Sequence, residues 1–392
     1  MKTRPLWILP IIVVAQFAGG SLWFSGNAIL NDLIREWSIS EHSLSYITSA
    51  VQLGFIAGSL LFAYFTVSDR YSPRKIFFLC SFLGAVSNGL VLFIPGKLIY
   101  LIVLRFTTGF FLAGIYPVGM KIASGWYQKG LGKALGFLVG ALVLGTAFPH
   151  ALKALEFHAS WKSVLVTTSI ISFAGGMAML KFVPDGPYIK NNIAFDKNAI
   201  FTLFKAGNLR SAAMGYFGHM WELYTLWAFT PFILNVYLAR NPSLNLNLPL
   251  WSFLIIASGF IGCSVGGLIS KKSSSESVAF YQLAVSGLCC LMSPFLFNLS
   301  PFFFLAVMIV WGISVVGDSP QYSAVIAKEA PADLVGSALT LVNSIGFLIT
   351  VISIQFMDLM SVWIPADKLF LILLPGPLIG LYSMKSLVFT SK

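Results

Sequence analysis

The chain has 392 residues, of which 57% are hydrophobic and 10% are charged, and its mean hydropathy is +0.84. A soluble globular protein carries about a quarter charged residues, so this composition excludes a soluble enzyme, and the 35 Phe, 10 Trp and 13 Tyr exclude a disordered chain. The net charge is +11. In a membrane protein, basic residues collect in the cytoplasmic loops, so this charge does not indicate a nucleic-acid partner, and we expect none.

Apolar runs of about 20 residues, the length that a membrane helix needs, recur along the whole chain. We predict an all-α membrane protein whose twelve spans lie at residues 6–29, 43–66, 76–95, 98–121, 132–152, 161–183, 209–236, 250–270, 278–297, 301–326, 335–357 and 366–387. The first run is interpreted as a membrane helix because no small-residue cleavage site of a signal peptide follows it.

The distribution of basic residues predicts the orientation. With both termini in the cytoplasm, 18 of the 25 Lys and Arg residues fall in inside segments and 6 in outside segments, as the positive-inside rule requires. The long inside connection at 184–208 divides the chain into a six-helix bundle at 1–183 and a second one at 209–392.

Short sequence matches between these halves indicate a duplication. They share an offset of 203 to 205 residues and include Gly54-Phe55-Ile56 with Gly259-Phe260-Ile261, and Gly114 and Pro117 with Gly317 and Pro320. Parallel repeats of six helices predict a substrate site between the halves, near the middle of the bilayer.

Two local motifs point to a family. The loop after the second span carries Asp69 and Arg70, followed by the basic pair Arg74 and Lys75, and the fourth span carries Arg105 four residues before Gly109. In these motifs and in its twelve spans the chain resembles the major facilitator superfamily along essentially its whole length. The resemblance implies two pseudo-symmetric six-helix bundles, alternating access and transport without a cofactor or an enzyme activity.

The resemblance also implies a role for the loop. Asp69, Arg70 and Arg74 are expected to be gating residues rather than substrate ligands, because a carboxylate here suits a helix N-terminus and the start of the eleventh span lies nearby in the family. Phe65 and Ser72 replace glycines of the loop motif. No subfamily is assigned, since the fifth span also departs from the pattern of the exporters.

Ionisable residues inside spans are costly and therefore functional candidates. His219 and Glu222 are three residues apart on the seventh span, so they share a helix face with Tyr216. We predict that Glu222, assisted by His219 and by Asp318 in the tenth span, exchanges protons, because loss of water penalises a charged carboxylate. The alternative for Glu222 is a fixed structural pair with His219 or an arginine. For His219 it is a hydrogen-bonded core residue, and for Asp318 a gate or helix-end contact is equally open.

Arg105 is predicted to hold an anionic group of the substrate, with a salt bridge to Glu222 or Asp318 as the alternative. Polar or aromatic side chains on the first, seventh, tenth and eleventh spans complete the predicted substrate-binding set, which is Gln16, Trp23, Tyr216, Gln321 and Asn343. Packing of small residues explains the glycines on the same faces.

These features predict a secondary active transporter that moves a small organic solute across the cytoplasmic (inner) membrane with proton coupling. An anionic solute is favoured, and a cationic one is also allowed. We expect a monomer in the lipid bilayer that binds its substrate and protons, without a metal or a cofactor. A proton-antiport exporter of drugs or amphiphilic metabolites, an uncoupled facilitator and a non-transporting sensor or assembly partner remain open. A metal carrier is disfavoured because no His/Cys cluster has metal-ligand spacing.

Overall fold

The computed structural model describes residues 5–127, 131–155, 160–188, 196, 199–205, 207–331 and 334–389, apart from the side chains at positions 69, 131, 200, 202 and 203. Helices make up all the regular structure of this described part, which contains no strand. The chain separates into two compact units, Met1–Phe195 and Asp196–Lys392.

The first unit consists of long apolar helices joined by short helical turns. Its described α-helices are α1 (Ile8–Gly20), α2 (Ser25–Ala28), α3 (Leu30–Trp37), α4 (Ser43–Tyr64), α5 (Val67–Arg70), α6 (Pro73–Leu90), α7 (Leu98–Leu112), α8 (Tyr116–Trp126), α9 (Leu131–Leu155) and α10 (Trp161–Phe182). A short 3₁₀ turn, Val91–Phe93, follows α6.

The second unit repeats this pattern with one longer helix near its start. Its described α-helices are α11 (Ala199–Lys205), α12 (Gly207–Arg240), α13 (Leu248–Ile269), α14 (Ser275–Leu296), α15 (Pro301–Gly317), α16 (Ser319–Glu329), α17 (Val335–Met360) and α18 (Pro375–Phe389). A 3₁₀ turn, Leu369–Leu373, precedes α18.

The predicted all-α, twelve-span fold class is confirmed. Every predicted span falls on one helix or on two consecutive helices, and ten segments of the described chain are long and apolar enough to cross a membrane. The other two spans are the first, where α1 has only 13 residues, and the seventh, where α12 has 34 residues but a more polar sequence. Both of these carry predicted site residues.

Three spans are broken into two helices. In the fourth and tenth spans the second helix has a proline at its second position, Pro117 in α8 and Pro320 in α16. Proline has no N–H to continue the hydrogen bonds of the preceding helix, and it is tolerated in the first turn of the next one. The first span is interrupted at residues 21–24 without a proline, so another interaction must stabilise the non-helical backbone there.

The two units share the same close helix contacts. In each unit two glycines let one helix approach the backbone carbonyl groups of another, and a Cβ at any of the four would overlap with a carbonyl oxygen. The contacts are Gly109 with Val51 and Gly58 with Phe110 between α4 and α7, and Gly312 with Ile255 and Gly262 with Ile313 between α13 and α15. Equivalent positions are again 203 or 204 residues apart, which supports a duplication.

Candidate functional site

The middle of α12 lies inside the second unit. Nearly every residue from Ala212 to Thr230 is buried, so the polar residues of this stretch cannot face lipid or water. Tyr216, His219 and Glu222 follow a three-residue spacing, which places them along one side of the helix. Because α12 is buried on all sides, these polar groups must find their partners on neighbouring helices.

Glu222 is anchored by one carboxylate oxygen. Its Oε1 accepts hydrogen bonds from the Ser286 hydroxyl at 2.5 Å, the Trp311 indole N–H at 2.6 Å and the Cys290 thiol at 3.2 Å. Ser286 and Cys290 are one turn apart on α14, and Trp311 lies on α15. The other oxygen, Oε2, is buried and has no hydrogen-bond partner among the described residues, so it is the atom free to carry a proton.

His219 and Asp318 form a buried acid–base pair near Glu222. Their Nδ1 and Oδ1 atoms are 2.8 Å apart, and both side chains are at most 1% exposed. Asp318 stands at the break between α15 and α16. Asp318 therefore lies at a helix end and beside His219, within the same unit as Glu222, whereas the salt bridge to Arg105 named as an alternative is not among the described contacts.

Three rings pack together beside this pair. The ring centroids of Tyr216 and His219 are 5.6 Å apart, those of His219 and Tyr322 are 5.8 Å apart, and those of Tyr216 and Tyr322 are 6.1 Å apart. Tyr322 lies one turn after Asp318 on α16. Its hydroxyl and the Nε2 atom of His219 are buried without a hydrogen-bond partner in the described part of the chain.

Arg105 lies in the first unit, among neutral oxygens. One guanidinium nitrogen donates to the Ser25 hydroxyl at 3.0 Å and to Asn88 Oδ1 at 3.1 Å, and the other donates to the Leu22 and Trp23 carbonyl groups at 2.8 and 2.6 Å. Those carbonyl groups belong to the break between α1 and α2. Arg105 therefore provides the interaction that stabilises the break in the first span. Its described hydrogen-bond partners include no carboxylate.

The remaining predicted substrate residues are spread over both units. Gln16 is fully buried, and its amide has no hydrogen-bond partner among the described residues. The Trp23 ring packs on Phe55 with centroids 5.1 Å apart. Gln321 is buried on α16, whereas Asn343 on α17 is half-buried. The structure thus gathers only Tyr216, among the predicted substrate residues, into the ring cluster with His219.

The predicted gating residues lie at the end of α4 and the start of α6. Asp69 belongs to the short helix α5, and its side chain lies outside the described structure. Arg70 is exposed and bonds to Thr66 at 3.0 Å. Arg74 lies 3.9 Å from the carboxylate of Asp185, just after α10, to which the Ser72 hydroxyl also donates. A gating role for this loop stays a prediction.

Glu222, His219, Asp318 and the residues that contact them form one cluster in the second unit. Four of its members were not predicted from the sequence: Ser286, Cys290, Trp311 and Tyr322. The position of Tyr322, one turn after a buried aspartate, is the one sequence signal that could have identified it. Ser286, Cys290 and Trp311 lie on other helices in apolar runs, and no local pattern relates them to Glu222.

An all-helical protein with broken spans and ionisable side chains buried between them has the features of a membrane transporter rather than of an enzyme. The family model of the Major Facilitator Superfamily matches residues 11–354. The chain therefore belongs to this superfamily of multi-pass membrane proteins.

Two solved structures share the fold. The chain is similar to the proton:xylose symporter XylE (TM-score 0.75, 13% identity, 97% of this chain and 95% of that chain). It is also similar to the nucleoside transporter NupG (TM-score 0.70, 14% identity, 98% of this chain and 100% of that chain).

Curated relatives are more similar in sequence over shorter stretches. The probable sulfoacetate transporter SauU of Cupriavidus necator is 22% identical over 61% of this chain and 59% of its own length. The putative niacin/nicotinamide transporter NiaP of Bacillus subtilis is 25% identical over 39% of this chain and 38% of its own length. The chain thus matches less than two thirds of the length of either relative.

Proposed function

We propose that the protein is a proton-coupled transporter of a small organic anion, acting in the cytoplasmic membrane. The observation that carries the proposal is the buried carboxyl of Glu222, which neutral donors hold by one oxygen while the other oxygen is free. A carboxyl in this setting binds a proton when it is shut off from water and releases it when water reaches it. That exchange is what coupling to a proton gradient requires.

The anionic character of the substrate rests on the names of two relatives. SauU is named for sulfoacetate, and NiaP is named for niacin and nicotinamide. Sulfoacetate and niacin are small acids that are anionic at neutral pH, whereas nicotinamide is neutral. A carboxylate or a sulfonate is therefore the proposed substrate class.

The proposed transport cycle uses the two six-helix bundles at 1–183 and 209–392, joined by the cytoplasmic connection at 184–208, much of which lies outside the described residues. Substrate and proton bind while the site is open to one side of the membrane, and both leave when the bundles re-open to the other side. A monomer with cytoplasmic termini suffices for this cycle.

The test is uptake of radiolabelled nicotinate and sulfoacetate by purified protein in liposomes, with and without an inward proton gradient. We expect accumulation with the gradient, and in Glu222→Gln we expect reduced accumulation while exchange of substrate for substrate continues. Glu276→Gln is the matched control, because Glu276 is paired with Lys328 at 2.7 Å rather than placed in the cluster.

Other results would overturn the proposal in distinguishable ways. Equilibration of the solute regardless of the gradient would identify an uncoupled facilitator. Uptake driven by an outward proton gradient would identify an antiporter. If the wild type moves no anion, a sensor is favoured. If Glu222→Gln accumulates solute as the wild type does, Glu222 does not couple transport to protons.

A further inference from the structure

Two polar atoms beside Glu222 have no part in the proposed proton exchange. They are Nε2 of His219 and the hydroxyl of Tyr322, which belong to side chains at most 1% exposed and have no hydrogen-bond partner in the described part of the chain. Buried polar atoms are almost always paired in proteins because an unpaired one is costly. Two such atoms on adjacent rings therefore point to a ligand.

Asp318 decides what His219 can offer to that ligand. The carboxylate oxygen lies 2.8 Å from Nδ1, which favours a hydrogen on this nitrogen, although the two atoms are not aligned as a hydrogen bond. When the imidazole is neutral with its hydrogen on Nδ1, Nε2 has only a lone pair, which repels an anion. When the imidazole gains a proton, Nε2 becomes an N–H donor, and Asp318 stabilises the positive charge behind it.

The Tyr322 ring is held in place by packing rather than by its hydroxyl. Gly215 on α12 makes room for it, since a Cβ there would lie 2.6 Å from the ring carbon Cε1. The ring also packs against His219 and Tyr216. A phenol fixed in this way presents its O–H as a donor at low entropic cost, next to the imidazole.

We propose that Nε2 of His219 and the hydroxyl of Tyr322 form a two-donor subsite for a carboxylate or sulfonate of the substrate, which binds only when the imidazole is protonated. This inference rests on the proposed function and assigns substrate recognition to the unit that carries the acids. The proton enters Nε2 from water on the side where substrate binds and returns to water from Nε2 on the side where substrate leaves. No covalent bond forms or breaks.

Other titratable groups lie on α12 and on the elements near it. They are Tyr216 and Glu222 on α12, Asp318 and Tyr322 at the α15–α16 break, Cys263 on α13 and Cys290 on α14. The helices α17 and α18 also pack against α12 and carry Asp358 and the exposed Tyr382 and Lys385. Among the described ion pairs, His219 takes part in one, with Asp318. Glu222 is held by a different set of donors, so the two proton positions can be separated by mutation.

The experiment measures binding of nicotinate and sulfoacetate to the purified full-length protein by titration calorimetry, at about pH 5 and about pH 8, on either side of the range in which imidazole titrates. The wild type is expected to bind at least about ten-fold more tightly at the acidic pH. Tyr322→Phe is expected to weaken binding at acidic pH about ten-fold. His219→Gln is expected to bind weakly and equally at both pH values.

Two further variants make the result specific. Tyr237→Phe removes a buried hydroxyl of the same unit that donates instead to the Leu299 carbonyl at 2.8 Å, and it should bind like the wild type. Glu222→Gln should reduce proton-driven accumulation, because the proton on His219 still moves with the substrate, and it should keep pH-dependent binding. If Tyr322→Phe has a lowered melting temperature, its weaker binding can result from loss of folded protein. The pH dependence of binding by His219→Gln then decides the test.

Failure of the subsite is distinguishable from failure of the proposed function. A wild type that accumulates an anion, with Tyr322→Phe and His219→Gln binding it as tightly and with the same pH dependence, overturns the subsite alone. A wild type that neither binds nor transports any anion overturns both.

Discussion

The two units use the same helix packing around opposite chemistry. In the first unit a buried cation, Arg105, is surrounded by neutral oxygen acceptors. In the second unit a buried acid, Glu222, is surrounded by neutral donors. The glycine contacts between α4 and α7 return between α13 and α15, so the halves retained their backbone packing while their polar interiors diverged.

The two interiors also differ in what their hydrogen bonds hold. Four N–H···O bonds tie Arg105 to the first span and to Asn88 on α6, although its Nε atom is buried without a described partner. In the second unit Glu222 Oε2, His219 Nε2 and the Tyr322 hydroxyl have no described partner. Because the bonds of Arg105 fix the backbone of a broken span, we interpret the first cluster as structural. Because the second cluster has an unpaired carboxylate oxygen and an unpaired imidazole nitrogen, we interpret it as the working one.

Replacing Arg105 by Leu tests this interpretation most severely. The substitution removes the donor to the Trp23 carbonyl and leaves the Ser25 hydroxyl as the donor shared by the Leu22 carbonyl and Asn88 Oδ1, and we expect the free energy of unfolding to fall by about 3–5 kcal/mol. Thermal unfolding of the purified protein measures the loss, with the exposed Arg35→Leu as control. An unchanged melting temperature together with lost anion binding would instead make Arg105 the substrate ligand predicted from the sequence.

Glycine-to-alanine changes test the shared packing. In Gly109→Ala and Gly312→Ala the new methyl group would collide with the carbonyl groups of Val51 and Ile255, respectively. Each is expected to cost about 1–3 kcal/mol of stability, seen as similar decreases in melting temperature. Gly132→Ala and Gly336→Ala are the controls, since no described atom lies within 4 Å of the added carbon. Unequal losses at the first two sites would refute equivalent packing.

A smaller effect is expected from Trp311→Phe. The change keeps an aromatic ring but removes the N–H that donates to Glu222 at 2.6 Å. Without this N–H the Ser286 hydroxyl and the Cys290 thiol alone donate to Oε1, and a hydrogen bond to a charged group contributes about 1.5–3 kcal/mol. The pH dependence of uptake should therefore change, while Trp221→Phe, which loses a bond to a backbone carbonyl, should leave it in place.

The sequence by itself determined the all-helical membrane fold, because about 20 apolar residues are needed wherever a helix crosses lipid. It also identified Glu222, His219, Asp318 and Arg105, since ionisable residues are conspicuous in apolar runs. Only the tertiary structure decided their partners. Ser286, Trp311 and Tyr322 reach the cluster from three other helices, and Arg105 reaches carbonyl groups more than 80 residues earlier in the chain, contacts that depend on helix packing and leave no local pattern.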